Sequence, residues 1–167
     1  MTRMVLVSLF AGLVAAMTLS AGLTTAQAQD ATPNREDRER VRDCLNRHGD
    51  AEAIVQAADC VGQINALCKD QETTAAALSC YQRHTAIWDR LLNDWYSEAR
   101  EKLDPASSDA LRHAQVAWIT FRDEKCGFWM TRYSSGTYSN VIGADCIQQE
   151  TGRRALEMHE IWKEANL

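Results

Sequence analysis

A polar and aromatic series in the second half of the chain carries the residue types that could hold or position charge. It runs Trp88, Asp89, Leu92, Asn93 and Tyr96, then Gln115, Trp118, Arg122, Asp123 and Cys126, and Cys146 closes it. On helical spacing Asp89, Asn93 and Tyr96 fall along one side of a helix and can face Gln115 and Arg122 of the next. A guanidinium among a carboxylate and amides makes charge-assisted, bidentate hydrogen bonds, whereas a buried charge without partners is costly. Asp89, Asn93, Tyr96, Gln115, Trp118 and Arg122 are therefore expected to form a structural polar core that fixes helix register. The competing reading opens the same cluster to solvent as a binding site.

The segment between Cys126 and Cys146 holds Arg132, Tyr133, Ser134, Ser135, Gly136, Thr137, Tyr138 and Asn140. Tyrosine rings beside small hydroxyl residues are the composition of recognition surfaces, where rigid apolar area combines with adaptable hydrogen bonding. Arg132, Tyr133, Ser134, Ser135 and Tyr138 are the candidate partner-binding residues; the alternative is an ordinary long loop tied down by a disulfide. Enzyme signatures are missing: the sequence has no Gly-x-Ser-x-Gly elbow, no His-Glu-x-x-His helix and no glycine-rich phosphate loop. His48, His84, His113 and His159 stand apart and no Cys-x-x-Cys pair occurs, so neither a metal nor a cofactor is expected. The chain reads as a non-enzyme.

The elements that must carry these residues begin after an export signal. Arg3 supplies the charged start, Val5 to Ala16 the apolar stretch, and Ala26-Gln27-Ala28 a cleavage site, so residues 1–28 are expected to be removed and the mature chain to begin near Gln29. No other stretch approaches the roughly 18 apolar residues of a membrane span. The expected location is the periplasm or the exterior, where the six cysteines, Cys44, Cys60, Cys68, Cys80, Cys126 and Cys146, form a disulfide framework. With the leader gone, 17 basic side chains face 23 acidic ones, a net charge of about −6. That balance disfavours nucleic acid and favours a basic protein partner.

Apolar residues recur at three and four positions throughout, so the fold class is all-α: a small disulfide-bridged bundle of about five helices built from antiparallel hairpins. Residues 29–35 are expected to be disordered, 36–72 to form a cysteine-bridged N-terminal extension, and 73–165 the main helical domain, in one compact unit with the extension. The helices are placed at about Glu36 to His48, Ala51 to Cys68, and Ala75 to Leu103, with Gly49-Asp50 turning the first hairpin and Thr73 or Thr74 capping the third helix. Asp104-Pro105 ends that helix, and Asp104 or Ser107 caps the fourth, which runs through Leu111, Gln115, Trp118, Arg122 and Cys126. A loop from Thr131 to Asp145 then precedes a last helix with Ile147, Thr151, Ala155, Met158 and Trp162 in register. Gly152 weakens its first turns by about 1 kcal/mol relative to alanine.

Helix geometry also restricts the bridges. Cys60 and Cys68 on one continuous helix stand about 12 Å apart, too far for a disulfide. If Cys126 pairs with Cys146 across their loop, two connectivities survive for the other four cysteines. In a hairpin turning at Gly49-Asp50, Cys44 and Cys68 lie at mismatched distances from the bend. The expected pairs are Cys44 with Cys60, Cys68 with Cys80, and Cys126 with Cys146.

The Leu-Asn-x-x-Tyr of Leu92, Asn93 and Tyr96, the Gln-x-x-Trp-x-x-x-Arg-Asp-x-x-Cys of Gln115 to Cys126, then Cys146 and the Thr-x-x-Arg of Thr151 to Arg154 resemble the lysozyme inhibitor LprI-like domain family. The resemblance covers about Cys68 to Trp162. It implies an exported, cysteine-bridged, mostly helical protein, some of whose relatives inhibit lysozyme, and it transfers no set of inhibitory residues. The partner it implies is a lysozyme or another basic cell-wall lytic protein. The alternative is a cell-envelope interaction or ligand-binding module without lysozyme inhibition.

Overall fold

Five helices carry the chain in a computed structural model that describes residues 31–47 and 54–167: α1 (Arg35–Arg47), α2 (Ile54–Lys69), α3 (Thr74–Lys102), α4 (Pro105–Arg132) and α5 (Tyr138–Ala165). No strand occurs among the described residues. The expected leader with its cleavage site near Ala28, and the expected turn at Gly49-Asp50, fall outside the described residues.

The helix ends follow from their capping chemistry. Thr73 caps α3 by accepting from the Ala76 amide at 3.1 Å. Asp104 caps α4 by accepting from the Ala106 and Ser107 amides, with Pro105 at the first helical position, where its missing N–H costs nothing. At α1 the cap is reciprocal: the Asp37 amide donates to Asn34 Oδ1 at 2.9 Å, and the Asn34 amide donates to Asp37 Oδ2 at 3.1 Å. Asn34 and Arg35 belong to the segment 29–35 that precedes the expected extension.

α5 is the central element. It packs parallel to α3, with Val141 and Ala144 near Cys80 and Tyr81 at one end and His159 against Trp95 at the other. It also meets α2 and α4, whereas α3 and α4 touch little beyond their shared turn, where Arg100 donates to Ser108. Trp88, Tyr81, Leu92 and Met158 are the largest apolar side chains sealed in this core, each worth about 1.5–3 kcal/mol of burial. Gly152 faces both α2 and α3: a Cβ there would stand 2.8 Å from Val61 Cγ2 and 3.4 Å from Trp88 Cδ1. The glycine is a packing requirement in the middle of a helix.

Three disulfides join consecutive helices, Cys44–Cys60 between α1 and α2, Cys68–Cys80 between α2 and α3, and Cys126–Cys146 between α4 and α5, with Cα separations of 5.7, 5.4 and 5.5 Å. The α3–α4 turn has no bridge; Asp104 and Pro105 define it instead.

The connection after α4 is shorter than the expected loop from Thr131 to Asp145. α4 continues through Arg132 and α5 begins at Tyr138, which leaves residues 133–137 as the turn. Val141 and Ala144 pack against the cluster of Cys68, Ala77, Cys80 and Tyr81, so helix formation in this stretch is repaid by burial. Gly136 reverses the chain at φ 81°, a conformation that suits glycine.

Candidate functional site

The six residues expected to form one polar core are divided between two places. Asp89 and Asn93 lie on the exposed face of α3, where Asn93 Nδ2 donates to the Asp89 carbonyl at 2.8 Å and to its carboxylate at 3.1 Å. A pair satisfied within one helix needs no partner from another. Tyr96 is half-buried, with the Arg100 guanidinium 5.5 Å from its ring centroid. Neither group reaches Arg122, because α5 rather than α4 covers the inner face of α3.

Gln115, Trp118 and Arg122 do come together, on the α4–α5 seam. The arginine that serves Gln115 is Arg154, whose Nε donates to Gln115 Oε1 at 3.0 Å while Nη1 donates to Glu157 at 2.7 Å. Arg122 and Arg154 both lie over Trp118, at 5.1 and 5.7 Å from its ring. Arg122 itself pairs with its neighbour Asp123 at 2.8 Å. The expected core is thus corrected: the half-buried Arg154 replaces Arg122 as the donor to Gln115, and Asp89 and Asn93 take no part. The Thr-x-x-Arg pattern at Thr151 to Arg154 was the signal for it.

A second, part-buried network supports the N-terminal half of α5. Asn65 of α2 donates to Asp145 and, at 3.4 Å, to Gln148, and Gln149 donates to Asp145 at 2.6 Å. Glu150 accepts from Lys125 of α4 at 2.9 Å and from Arg153 at 2.6 Å. These contacts fix the rotation of α5 beneath the turn at residues 133–137.

Around that turn the protein presents an aromatic surface. Arg132, Tyr133, Ser134, Ser135 and Tyr138, the candidate partner-binding residues, are all exposed. Phe128 and Trp129 join them, with 59% and 39% of their surface open. Trp129 stacks on Tyr133 at 6.2 Å, Tyr138 meets Tyr133 edge-on at 6.4 Å, and the Arg132 guanidinium lies 5.6 Å from the Tyr133 ring. Large exposed rings grouped in this way mark interaction sites more often than accidental surface. Phe128 and Trp129 were not among the expected binding residues; their i, i+4 spacing to Arg132 and Tyr133 was the available signal.

A cleft of about 330 Å³ opens beside Trp129 and Tyr133, with Lys125, Asp145, Glu150 and Arg153 among its walls. Cys146 also lines it, and its bridge to Cys126 ties α5 to α4 there. Rings above charged and amide groups can bind another protein's polar loop or a side chain inserted between helices.

Cys68, Cys80 and His84 place three potential ligand atoms together. The two sulfurs are joined in a disulfide, so they are not the thiolates that a metal requires. His84 is buried, and burial pushes its pKa below the ordinary histidine value; its Nδ1 donates to the Cys80 carbonyl at 2.9 Å, and Nε2 lies 3.6 Å from Asp37 Oδ1. Burial likewise raises the Tyr81 hydroxyl well above the ordinary tyrosine value. His84 belongs to the packing of α1 against α3, and Tyr81 to that of α3 against α2 and α5.

A family model described as Lysozyme inhibitor LprI matches residues 67–158. No curated protein and no solved structure matches the chain. The matched residues run from the end of α2 into α5 and include the Cys68–Cys80 and Cys126–Cys146 bridges and the whole aromatic surface, while α1 lies outside them.

Proposed function

The chain belongs to the lysozyme inhibitor LprI family, and from that membership we propose that it acts outside the cytoplasm, as a protein that binds and occludes a lysozyme-type cell-wall glycosidase. Three disulfides fit an oxidising compartment such as the periplasm or the exterior. No described helix is long and apolar enough to cross a membrane. The protein's role is binding, and the chemistry belongs to its partner.

The observation that carries the mode of binding is the exposed set Phe128, Trp129, Tyr133 and Tyr138 with Arg132, held at the bridged end of α4 and α5. Retaining glycosidases hold two carboxyl groups about 5–5.5 Å apart across an open cleft. Arg132, Ser134 and Ser135 supply donors for those carboxylates, and the rings supply apolar area over the neighbouring sugar subsites. The formal net charge of −5 speeds encounter with a basic enzyme.

The test is clearing of a cell-wall suspension by lysozymes of several classes, with and without the oxidised protein. Dose-dependent slowing of at least one class is expected. Undiminished clearing by every class, with protein shown to be folded, overturns the proposal.

A further inference from the structure

At the end of α5 away from the aromatic surface, α1, α3 and α5 enclose a cavity of about 770 Å³, within the range of small-molecule sites. Its walls are Leu45 of α1, Leu91 and Trp95 of α3, and Leu156 of α5, with Val41 and Ile87 beneath. About 27 Å of helix separates Leu156 from Tyr138. The α1 wall and His159, Glu160 and Lys163 lie outside the matched family segment, whereas the α3 wall and Leu156 lie inside it.

The walls are apolar and the mouth is charged. Arg38, Arg42, Arg90 and Lys163 stand there against Asp94 and Glu160. Arg90 reaches Asp94 at 3.7 Å, Lys163 reaches Glu160 at 3.1 Å, and Arg42 reaches Asp43 at 3.0 Å. Arg38 meets no carboxylate among the described residues; its guanidinium donates to the Pro33 carbonyl. Deeper in, the His159 ring packs against Trp95 at 4.5 Å and Trp162 at 5.6 Å. Burial pushes its pKa below the ordinary histidine value.

We propose that this cavity binds a free fatty acid, with the alkyl chain along Leu45, Leu91, Trp95 and Leu156 and the carboxylate on Arg38. A planar guanidinium with no carboxylate of its own suits a carboxylate head, and an apolar trough suits the tail. A second copy of this chain is the poorer occupant. A recess of about 770 Å³ has the size of a small-molecule site, and a protein interface is a broader surface.

The test uses the full chain exported with its own leader, oxidised and stripped of lipid. Brominated stearate is titrated while tryptophan fluorescence is followed, since Trp95 forms part of the wall. Saturable quenching with one ligand per chain is expected, competed by palmitate and far less by hexadecanol. Arg38→Gln, at an exposed position, keeps the fold and weakens palmitate about ten-fold. Leu45→Glu abolishes binding while the far-ultraviolet spectrum is retained. Non-saturable quenching, unchanged affinity in Arg38→Gln, or equal competition by hexadecanol overturns the proposal. So does a dimer that fatty acid fails to dissociate. Lysozyme inhibition is read separately, and its presence or absence does not decide the outcome.

Discussion

Arg154 Nε donates to Gln115 Oε1 at 3.0 Å across the seam between α4 and α5, with the guanidinium 5.7 Å from the Trp118 ring. Gln115 is buried and Arg154 is half-buried, so the bond is shielded from competing water. It joins two helices whose remaining contacts are the Cys126–Cys146 bridge, the Lys125–Glu150 pair and apolar packing.

Arg154→Leu is therefore expected to destabilise the fold by about 1–3 kcal/mol, because it leaves the Gln115 carbonyl oxygen buried without a donor. Arg122→Leu should cost under about 1 kcal/mol, since its ion-pair partner Asp123 is its exposed neighbour on the same helix. Thermal melts of the two variants check the order. A larger loss from Arg122→Leu than from Arg154→Leu would return the role to Arg122.

Gly152→Ala is expected to destabilise by about 1–3 kcal/mol through overpacking, although alanine favours a helix by up to about 1 kcal/mol. The new methyl would stand 2.8 Å from Val61 Cγ2 and force α2 away from α5. Urea denaturation measures the balance. A stabilised variant would mean that Val61 moves aside freely.

The legible parts of the molecule were those fixed by local chemistry. Thr73 and Asp104-Pro105 announce their own helix ends, and cysteine spacing along helices restricts the bridges. What could not be read was which helix covers which. The inner stripe of α3 fits α4 or α5 equally well, and Arg122 and Arg154 are the same residue type at plausible positions. Asp89 and Asn93 misled because a polar pair four residues apart can satisfy itself on one helix. The stretch from Tyr138 to Asp145 looked like loop by composition; Cys68, Cys80 and Tyr81, distant in sequence, supply the contacts that make it helix. At the candidate site, Arg132, Tyr133 and Tyr138 stood out by type, whereas Phe128 and Trp129 gave an apolar signal that a buried face would give equally.

Stability should fall on mild acidification. The folded-state pKa of His84 is lowered by burial, so the unfolded chain takes up the proton first, near the ordinary value of about 6.5. The contribution is fully present above that pH and is lost as pH falls from there toward the lowered value. Asp37 favours the charged ring and Arg83 opposes it, but burial dominates. His159 shifts in the same direction and adds a weaker effect from its more exposed site. His84→Gln should flatten the dependence of melting temperature on pH below about 6.5, and identical slopes in the two proteins would remove His84 from the account.

The aromatic end of the α4–α5 pair gives the sharpest functional expectation, because its residues are exposed and their removal leaves the core intact. Phe128, Trp129, Tyr133 and Tyr138 are each more than a third open, and Arg132 lies on the Tyr133 ring rather than in an ion pair among the described residues. Arg132→Ala, Tyr133→Ala and Tyr138→Ala combined should leave the melting temperature nearly unchanged and weaken lysozyme inhibition by about 100-fold or more, as expected when two aromatic anchors and an arginine leave an interface. Phe128→Ser with Trp129→Ser should weaken it independently. Raising salt should slow association with a basic lysozyme while dissociation changes little, since screening acts on the approach of the acidic body rather than on packed rings. Association and dissociation rates measured at several salt concentrations separate these effects. Full inhibition by the triple variant would move the docking surface elsewhere on the protein, and a dissociation rate that rises steeply with salt would make the contact electrostatic rather than aromatic.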